Sequence, residues 1–366
     1  MKVVYWILAI VGIACLGVLL YLHHPKFGDL PEGEALVAIE ASPHYEEGTF
    51  RNLIPTPMFA GDKTFLQVLT ENLASSNEGL TPEEALPTWA TELDALDPNK
   101  NLVVWLGHSS FFIQINGLRL LLDPVLSDQA APLGFLNPAY AGTNLFSAPK
   151  LPAIDALLIS HDHWDHLDYP SIRDLEPKVE QVLAPLGIGS YLRGWGYSEE
   201  RIREGDWFDH FDLGREVRVH LIPARHYSGR LLTRNKTLWA GFILETPELR
   251  LLFSGDSGYG PHFNELGRHF NGFDFVALDS GQYDERWPYI HMNPEEAATA
   301  AENLGARAMM PAHVGRFTLA RHPWQEPFQR LVEASRDKPY KLVTPRIGQV
   351  LFLDQLEQTP LDRWWQ

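Results

Sequence analysis

The chain has 366 residues, 45% of them hydrophobic and 21% charged, with a formal net charge of −17. That length suits one large domain or two ordinary ones, and the composition suits a globular protein with a sizeable core. The acidic balance argues against a nucleic-acid partner, which would need a basic surface, and Cys15, the single cysteine, excludes an intramolecular disulfide.

The first segment is "MKVVYWILAIVGIACLGVLLYLHHPK". From Val3 to Leu22 it is an uncharged apolar run of about 20 residues, enough to cross a hydrocarbon core of ~30 Å. A signal peptide has a shorter apolar region and a small-residue cleavage site, and neither is present before His23. Residues 1–25 are therefore expected to form an uncleaved, single-pass transmembrane anchor, with Tyr5, Trp6 and Tyr21 near the two interfaces. Lys2 and Lys26 on either side give little charge bias. The expectation is a signal anchor that leaves the domain outside the cytoplasm, on the periplasmic side.

Residues 26–100 are rich in Pro, Glu, Asn and Thr and are expected to form an extension that wraps a core domain. Within it, "SPHYEEGTFRN" reads as irregular. "FLQVLTENL" and "TPEEALPTWATEL" read as helices, the second with Thr81 as N-cap and Pro82 at the first helical position.

From residue 101 to 354 the pattern changes to a core domain, leaving 355–366 as a C-terminal tail. "FFIQI" and "LRLLLD" flank Asn116-Gly117, a strong hairpin signal. "IDALLIS" is a continuous apolar run of strand length, as in a sheet buried on both faces. "YPSIRDLE" reads as a short helix capped by Asp168. "QVLAP", "VRVHLIPA", "LWAGFILET", "LRLLFSGD", "FDFVALD" and "ARAMMPAHVG" read as strands, and "KLVTPRIGQVLFLD" closes the set. "NPEEAATAAENLG" has a complete helix frame: Asn293 as N-cap, Pro294 at N1, two glutamates in the first turn and Gly305 near the end. The strands fall into one set before about Leu221 and one after it, which predicts two sheets packed face to face and covered by helices.

The chemistry starts in "LISHDHWDHLDYP". His161, His163, Asp165 and His166 follow a buried strand. Positions i and i+2 on a tight loop point the same way, so His161 and His163 can share one cation while Asp165 and His166 address a second. Imidazole with carboxylate suits zinc, and also iron or manganese. A two-metal site needs more ligands than one loop supplies. His226, Asp256 and His313 each end a strand-like run and complete the set.

"SHDHWDH", "PARHYS", "GDSGY" and "PAHVGRF", in this order, resemble the metallo-β-lactamase fold hydrolases. "WLGHSSFFIQINGLRLLLDP", "FNELGRHFNGFD" and "HMNPEEA" resemble the branch that contains the N-acyl-phosphatidylethanolamine-hydrolysing phospholipase D. The resemblance covers roughly residues 100–350 and reaches into "SPHYEEGTFRN". It implies an α/β fold, the four-layer αββα sandwich, here preceded by the transmembrane helix, with 101–354 as the hydrolase domain. It implies two Zn2+ ions, or other divalent metals such as Fe or Mn. One would be held by His161, His163 and His226, the other by Asp165, His166 and His313, with Asp256 bridging. Two divalent cations and two aspartates leave a net positive centre, suited to an anionic phosphate or a developing oxyanion. Asp165 is then expected to orient the attacking water or accept its proton, and His291, matching a pocket position, either to act with it at the substrate or to serve only as an entry residue of the helix at Asn293.

Other residues carry two readings each. Asp123 is expected either to orient a ligand histidine or to cap the turn before Pro124. His108 is expected to bond a backbone carbonyl rather than act in catalysis. Tyr259 and Tyr283 either donate to a phosphate or pack. Asp279 and Ser280 depart from the branch pattern, and an inward carboxylate at 279 would disfavour a phosphate.

The function these features imply is a membrane-anchored, dinuclear metal-dependent phosphodiesterase of phospholipase D type acting on N-acyl-phosphatidylethanolamine-like lipids. The alternative is a lactone or other carboxylic-ester hydrolase with the same site chemistry. A non-enzymatic, metal-dependent membrane scaffold is the third reading. The expected partners are a lipid or small-molecule substrate and the membrane, with "PLGFLNPAYAGTNLF" either a lipid-facing rim or a packed loop.

Overall fold

The computed structural model describes residues 2–61, 63–74, 78–230 and 233–366. Met1 of the expected anchor and residues 62 and 75–77 of the expected extension lie outside them. The first element is α1 (Lys2–Leu22), an apolar helix with none of its hydrophobic span buried inside the protein. A short helix, α2 (Gly33–Glu40), leads to a two-residue hairpin of β1 (Tyr45–Glu46) and β2 (Thr49–Phe50). That hairpin lies inside "SPHYEEGTFRN", which sequence reading left irregular.

The expected helix α3 (Phe65–Ala74) is present. The expected helix over "TPEEALPTWATEL" is not: residues 81–92 run as extended and bent chain. Pro87 removes a helical donor and clashes with the preceding turn. The neighbouring backbone is instead claimed by the core. Leu86 N–H donates to the Ala141 carbonyl at 2.9 Å and Trp89 N–H to the Ile347 carbonyl at 2.8 Å.

Two seven-stranded sheets follow. The first holds β3 (Leu102–Gly107), β4 (Ser110–Ile115), β5 (Leu118–Leu122), β6 (Ile154–Leu158), β7 (Val179–Pro185) and β8 (Ile202–Gly205) in that spatial order. The second holds β9 (His210–Asp212), β10 (Arg218–Ile222), β11 (Gly241–Glu245), β12 (Arg250–Phe253), β13 (Phe273–Asp279), β14 (Ala306–Ala312) and β15 (Lys341–Leu342). Finally β16 (Val350–Phe352) returns to pair antiparallel with β3. The division therefore falls before His210 rather than near Leu221, and the last strand recrosses to the first sheet. Strand-length runs reveal that strands exist, whereas partner choice depends on contacts distant in sequence.

The β4–β5 turn has Asn116 at φ 46° and Gly117 at φ 74°, the left-handed pair a two-residue hairpin requires. Facing apolar side chains such as Trp105, Phe111, Leu158, Phe242, Phe253 and Phe275 fill the space between the sheets. On the outer face of the first sheet lie α4 (Tyr169–Leu175) and α5 (Ile188–Gly194), whose Ile172, Leu175, Ile188 and Leu192 join the residues on that face of β3–β7. On the outer face of the second lie α6 (His262–Phe270), α7 (Pro294–Asn303) and α8 (Glu326–Ala334). This is the four-layer αββα sandwich expected. Helix α7 has the full capping box, with Asn293 and Glu296 bonding each other's backbone. Trp364 and Trp365, in the segment read as a tail, are buried against Phe328.

Candidate metal centre

Strand direction decides where the chemistry sits. The parallel strands β5, β6, β12, β13 and β14 end at one edge of the sandwich, where α/β sheets present their ligand crevices. Register then sets the neighbours. Leu122 pairs with Leu158, so Asp123 falls beside Ser160; Asp279 pairs with Ala312, so its carboxylate lies behind His313. His108, Asp123 and His313 all have positive φ (55°, 42° and 59°), a left-handed conformation that costs a non-glycine residue ~1–3 kcal/mol and gathers at functional sites. Gly281 is the complementary case: a Cβ there would lie 1.9 Å from the His313 carbonyl oxygen.

All seven residues expected to hold metal come together. In one cradle His161 Nε2 and His226 Nε2 lie 2.9 and 3.1 Å from His163 Nδ1. Asp256 Oδ2 stands 3.7 Å from His161 Nε2 and 3.6 Å from His226 Nε2. In the adjoining cradle Asp165 Oδ2 is 2.9 Å from His313 Nε2 and 3.6 Å from His166 Nε2. Asp256 reaches both, its Oδ1 3.0 Å from His166 Nε2 and its Oδ2 3.4 Å from His313 Nε2.

The second layer fixes which nitrogen faces inward. His166 Nδ1–H donates to Asp123 at 2.8 Å, His226 Nδ1–H to the Ile290 carbonyl at 2.9 Å and His313 Nδ1–H to Asp279 at 3.2 Å. Each bond leaves Nε2 as the nitrogen available to a cation. Asp123 also accepts from Ser160 N–H at 2.7 Å and Ser160 Oγ at 2.5 Å. Of its two sequence readings, orienting a ligand histidine is the one observed.

The residues fit divalent cations on three counts. The ligand atoms in each cradle lie within 4.8 Å of one another. Among the described residues, buried His166 Nε2 and Asp256 Oδ1 have no hydrogen-bond partner, although they are only 3.0 Å apart. The electrostatics also demand positive charge. Burial alone would raise the Asp256 and Asp165 carboxyls, but the adjacent imidazoles, His166 foremost, hold both well below the usual carboxylate range. Burial would conversely lower His166 and His313. The carboxylates of Asp256 and its neighbours instead lift His166 well above the usual imidazole value and His313 to about 10. In the first cradle burial wins, leaving His161 and His226 well below their usual value and His163 at about 4. Neutral imidazole is the form that binds metal.

A family model described as "Beta-lactamase superfamily domain" matches residues 118–314, more than half of the chain. The chain belongs to the metallo-β-lactamase superfamily. This superfamily member is a metal-dependent hydrolase. It is 38% identical over 331 residues to an uncharacterised protein of Mycobacterium tuberculosis, covering 89% of this chain and 88% of that relative. It is also 27% identical over 299 residues to a Caenorhabditis elegans protein named N-acyl-phosphatidylethanolamine-hydrolyzing phospholipase D 1, covering 76% of this chain and 83% of that one. That similarity bears out the branch resemblance. Among solved structures, an isothiocyanate hydrolase from Delia radicum gut bacteria superposes with a TM-score of 0.56 at 18% identity, over 68% of this chain and 98% of that one, which shows the shared fold.

Other positions sharpen or correct the sequence reading. His108 does not bond a backbone carbonyl through its ring: its Nε2 lies 2.9 Å from Asp165 Oδ2. The isolated bridge between His108 and Val314 ties the β3–β4 turn of the first sheet to the loop after β14 of the second. Asp279 is fully buried, and accepts from His291 Nδ1 at 2.7 Å as well as from His313, so its charge is spent on these imidazoles. Tyr259 packs, its hydroxyl accepting from Asn303, while Tyr283 donates to Glu326 at 2.8 Å. Asp162 accepts from Tyr191, Thr237 and Gly229, holding the loop. Asp168 caps α4 as expected.

Sequence reading missed Asn52. Its amide donates to the His226 carbonyl at 2.7 Å and accepts His226 N–H at 3.0 Å, clamping the backbone of a site residue from far upstream. An asparagine in an irregular stretch gave no signal for this.

A cavity of about 380 Å³ opens onto the cradles. His163, Asp165, Asp256, His291 and His313 line it, together with apolar residues such as Pro132, Leu136 and Leu319 and the polar Asn137, Tyr227, Thr233 and Arg234.

Proposed function

We propose that the protein is a membrane-anchored, dinuclear metal-dependent phosphodiesterase of phospholipase D type, acting on N-acyl-phosphatidylethanolamine-like lipids. One observation carries the reading: paired His/Asp cradles open onto a cavity whose lining joins apolar residues, Ala130, Pro132, Leu136 and Leu319 among them, with Asn137, Thr233 and the cationic Arg234. A phosphodiester with acyl chains matches both halves of that surface. The named phospholipase D relative supports the same substrate class.

His161, His163 and His226 would hold one ion and Asp165, His166 and His313 the other, with Asp256 shared. Zinc suits this donor set, as do iron and manganese. When bound, such ions polarise a phosphoryl oxygen and lower the pKa of water at the site. Asp165, kept anionic beside His108 and His313, accepts a proton from that water or fixes its direction. His291, tied by Nδ1 to Asp279 and lining the cavity, presents Nε2 to the phosphate or the leaving oxygen. The bond formed is from water oxygen to phosphorus, the bond broken joins phosphorus to the headgroup oxygen, and a proton given up by the water ends on that oxygen, so the headgroup leaves as an alcohol. The apolar α1 would hold the domain at the bilayer, with the domain on the periplasmic side.

The test is to assay purified, metal-analysed protein against lipid phosphodiesters and against lactones. Release of phosphatidic acid is the expected result. Lactone turnover without lipid cleavage overturns it in favour of ester hydrolysis, and partner binding with no turnover would point to a scaffold.

A further inference from the structure

The loop from Gln129 to Pro138 is a closed unit at the cavity mouth. Its ends form an isolated bridge, with Ala130 N–H donating to the Asn137 carbonyl at 3.0 Å and Ala139 N–H to the Asp128 carbonyl at 2.9 Å. Its tip is apolar and open: Phe135 is 76% exposed, Leu136 41% and Leu133 36%. Three large apolar side chains on one short tip cost free energy in water and mark a contact surface.

The end of α1 is fixed to this same loop. The Tyr21 hydroxyl donates to the Pro132 carbonyl at 2.7 Å, and Lys26 Nζ donates to that carbonyl at 2.6 Å. Phe27 packs edge-on against Trp164 of the metal loop, 5.4 Å between centroids. The buried Arg230 guanidinium donates to the Lys26 carbonyl at 2.9 Å and to the Asp162 and Leu167 carbonyls at 2.9 and 2.7 Å. The helix therefore exits as a docked element, joined to the residues that frame the cradles.

Tyrosine and lysine at the end of an apolar helix sit at the lipid headgroup level, the lysine stem lying along apolar surface. Here both reach Pro132, which lines the metal cavity. The headgroup plane thus passes through the loop, and the exposed tip lies beside it.

We infer that Leu133, Phe135 and Leu136 insert into the same bilayer leaflet that α1 leaves, so that the metal cavity opens at the headgroup plane and is entered from lipid. The partner is the bilayer itself. This rests on the membrane-anchored reading and adds the orientation of the catalytic domain to it.

The test uses the full chain with Cys15→Ala, carrying either Phe135→Cys or Glu216→Cys, each labelled with an environment-sensitive fluorophore. Glu216 is exposed, next to Arg215, whose Nη1 bonds the Gly117 carbonyl at the opposite end of the sandwich. Each protein is reconstituted into nanodiscs of phosphatidylethanolamine and phosphatidylglycerol, with and without lipid bearing a nitroxide quencher near the headgroup. Metal content equal to that of the unlabelled protein serves as the check on folding. The expected result is co-elution with the discs, loss of most emission from the label at 135, and retained emission from the label at 216. Co-elution with an unquenched label at 135 overturns the inference and leaves the anchor intact. Failure to enter the discs overturns the anchor and the inference together.

Discussion

Asp123→Asn is the most informative single change around the cradles. The carboxylate is 1% exposed and accepts three hydrogen bonds, from His166 Nδ1 at 2.8 Å, Ser160 N at 2.7 Å and Ser160 Oγ at 2.5 Å. Asparagine keeps the volume but offers one oxygen, so its NH2 must face a donor. Losing one bond to a charged group costs about 1.5–3 kcal/mol. Losing an orienting partner of a ligand histidine weakens metal affinity by about 10–100-fold, which at about 1.4 kcal/mol per tenfold agrees with that cost. The effect should be asymmetric. Asp123 touches His166 directly and reaches His161 only through Ser160 Oγ, 2.9 Å from His161 Nδ1. Metal-stripped protein titrated with zinc against a chromophoric chelator should show one of two binding steps weakened by about one to two orders of magnitude, the other less. Unchanged affinity at both steps would refute the reasoning.

Three further outcomes are expected. Asn52→Ala strips both partners from the His226 backbone, and should lower stability by about 1–3 kcal/mol per unpaired group in denaturant titration and loosen the cradle containing His226. The metal-stripped protein should lose stability as pH rises through about 10. His313 has a folded-state pKa raised to about 10, so its stabilising protonation is fully present below the ordinary imidazole value of ~6.5 and vanishes above the folded value. Thermal scans across that window should show the decline in stripped protein only, since cations displace the proton. Leu158→Ala, at a fully buried site on the strand that carries the metal loop, should cost about 2–5 kcal/mol, measured by chemical unfolding.

The site was legible because its residues are dense and local. His161 through His166 lie on one loop, and His226, Asp256 and His313 each end an apolar run. The helix at Asn293 was legible for the same reason, since cap, proline and first-turn glutamates are all local. What was lost depends on contacts across the chain. The stretch after Thr81 has helical caps, yet its N–H groups bond Ala141 and Ile347. The return of Val350–Phe352 to Leu102–Gly107 follows from pairing alone. His108 reaches Asp165 across 57 positions of sequence, from the β3–β4 turn to the loop after β6, and Asn52 reaches His226 from an extension with no periodic pattern.

The central claim is that paired cradles make this chain a two-metal hydrolase. It is tested most directly by counting metal against turnover: metal-stripped protein is titrated with zinc while phosphatidic acid release from N-acyl-phosphatidylethanolamine vesicles is followed. The account predicts activity that rises to a plateau at two ions per chain and is abolished by Asp256→Ala. Full activity in stripped protein, or a plateau with the cradle around Asp165 and His166 unfilled, would contradict it.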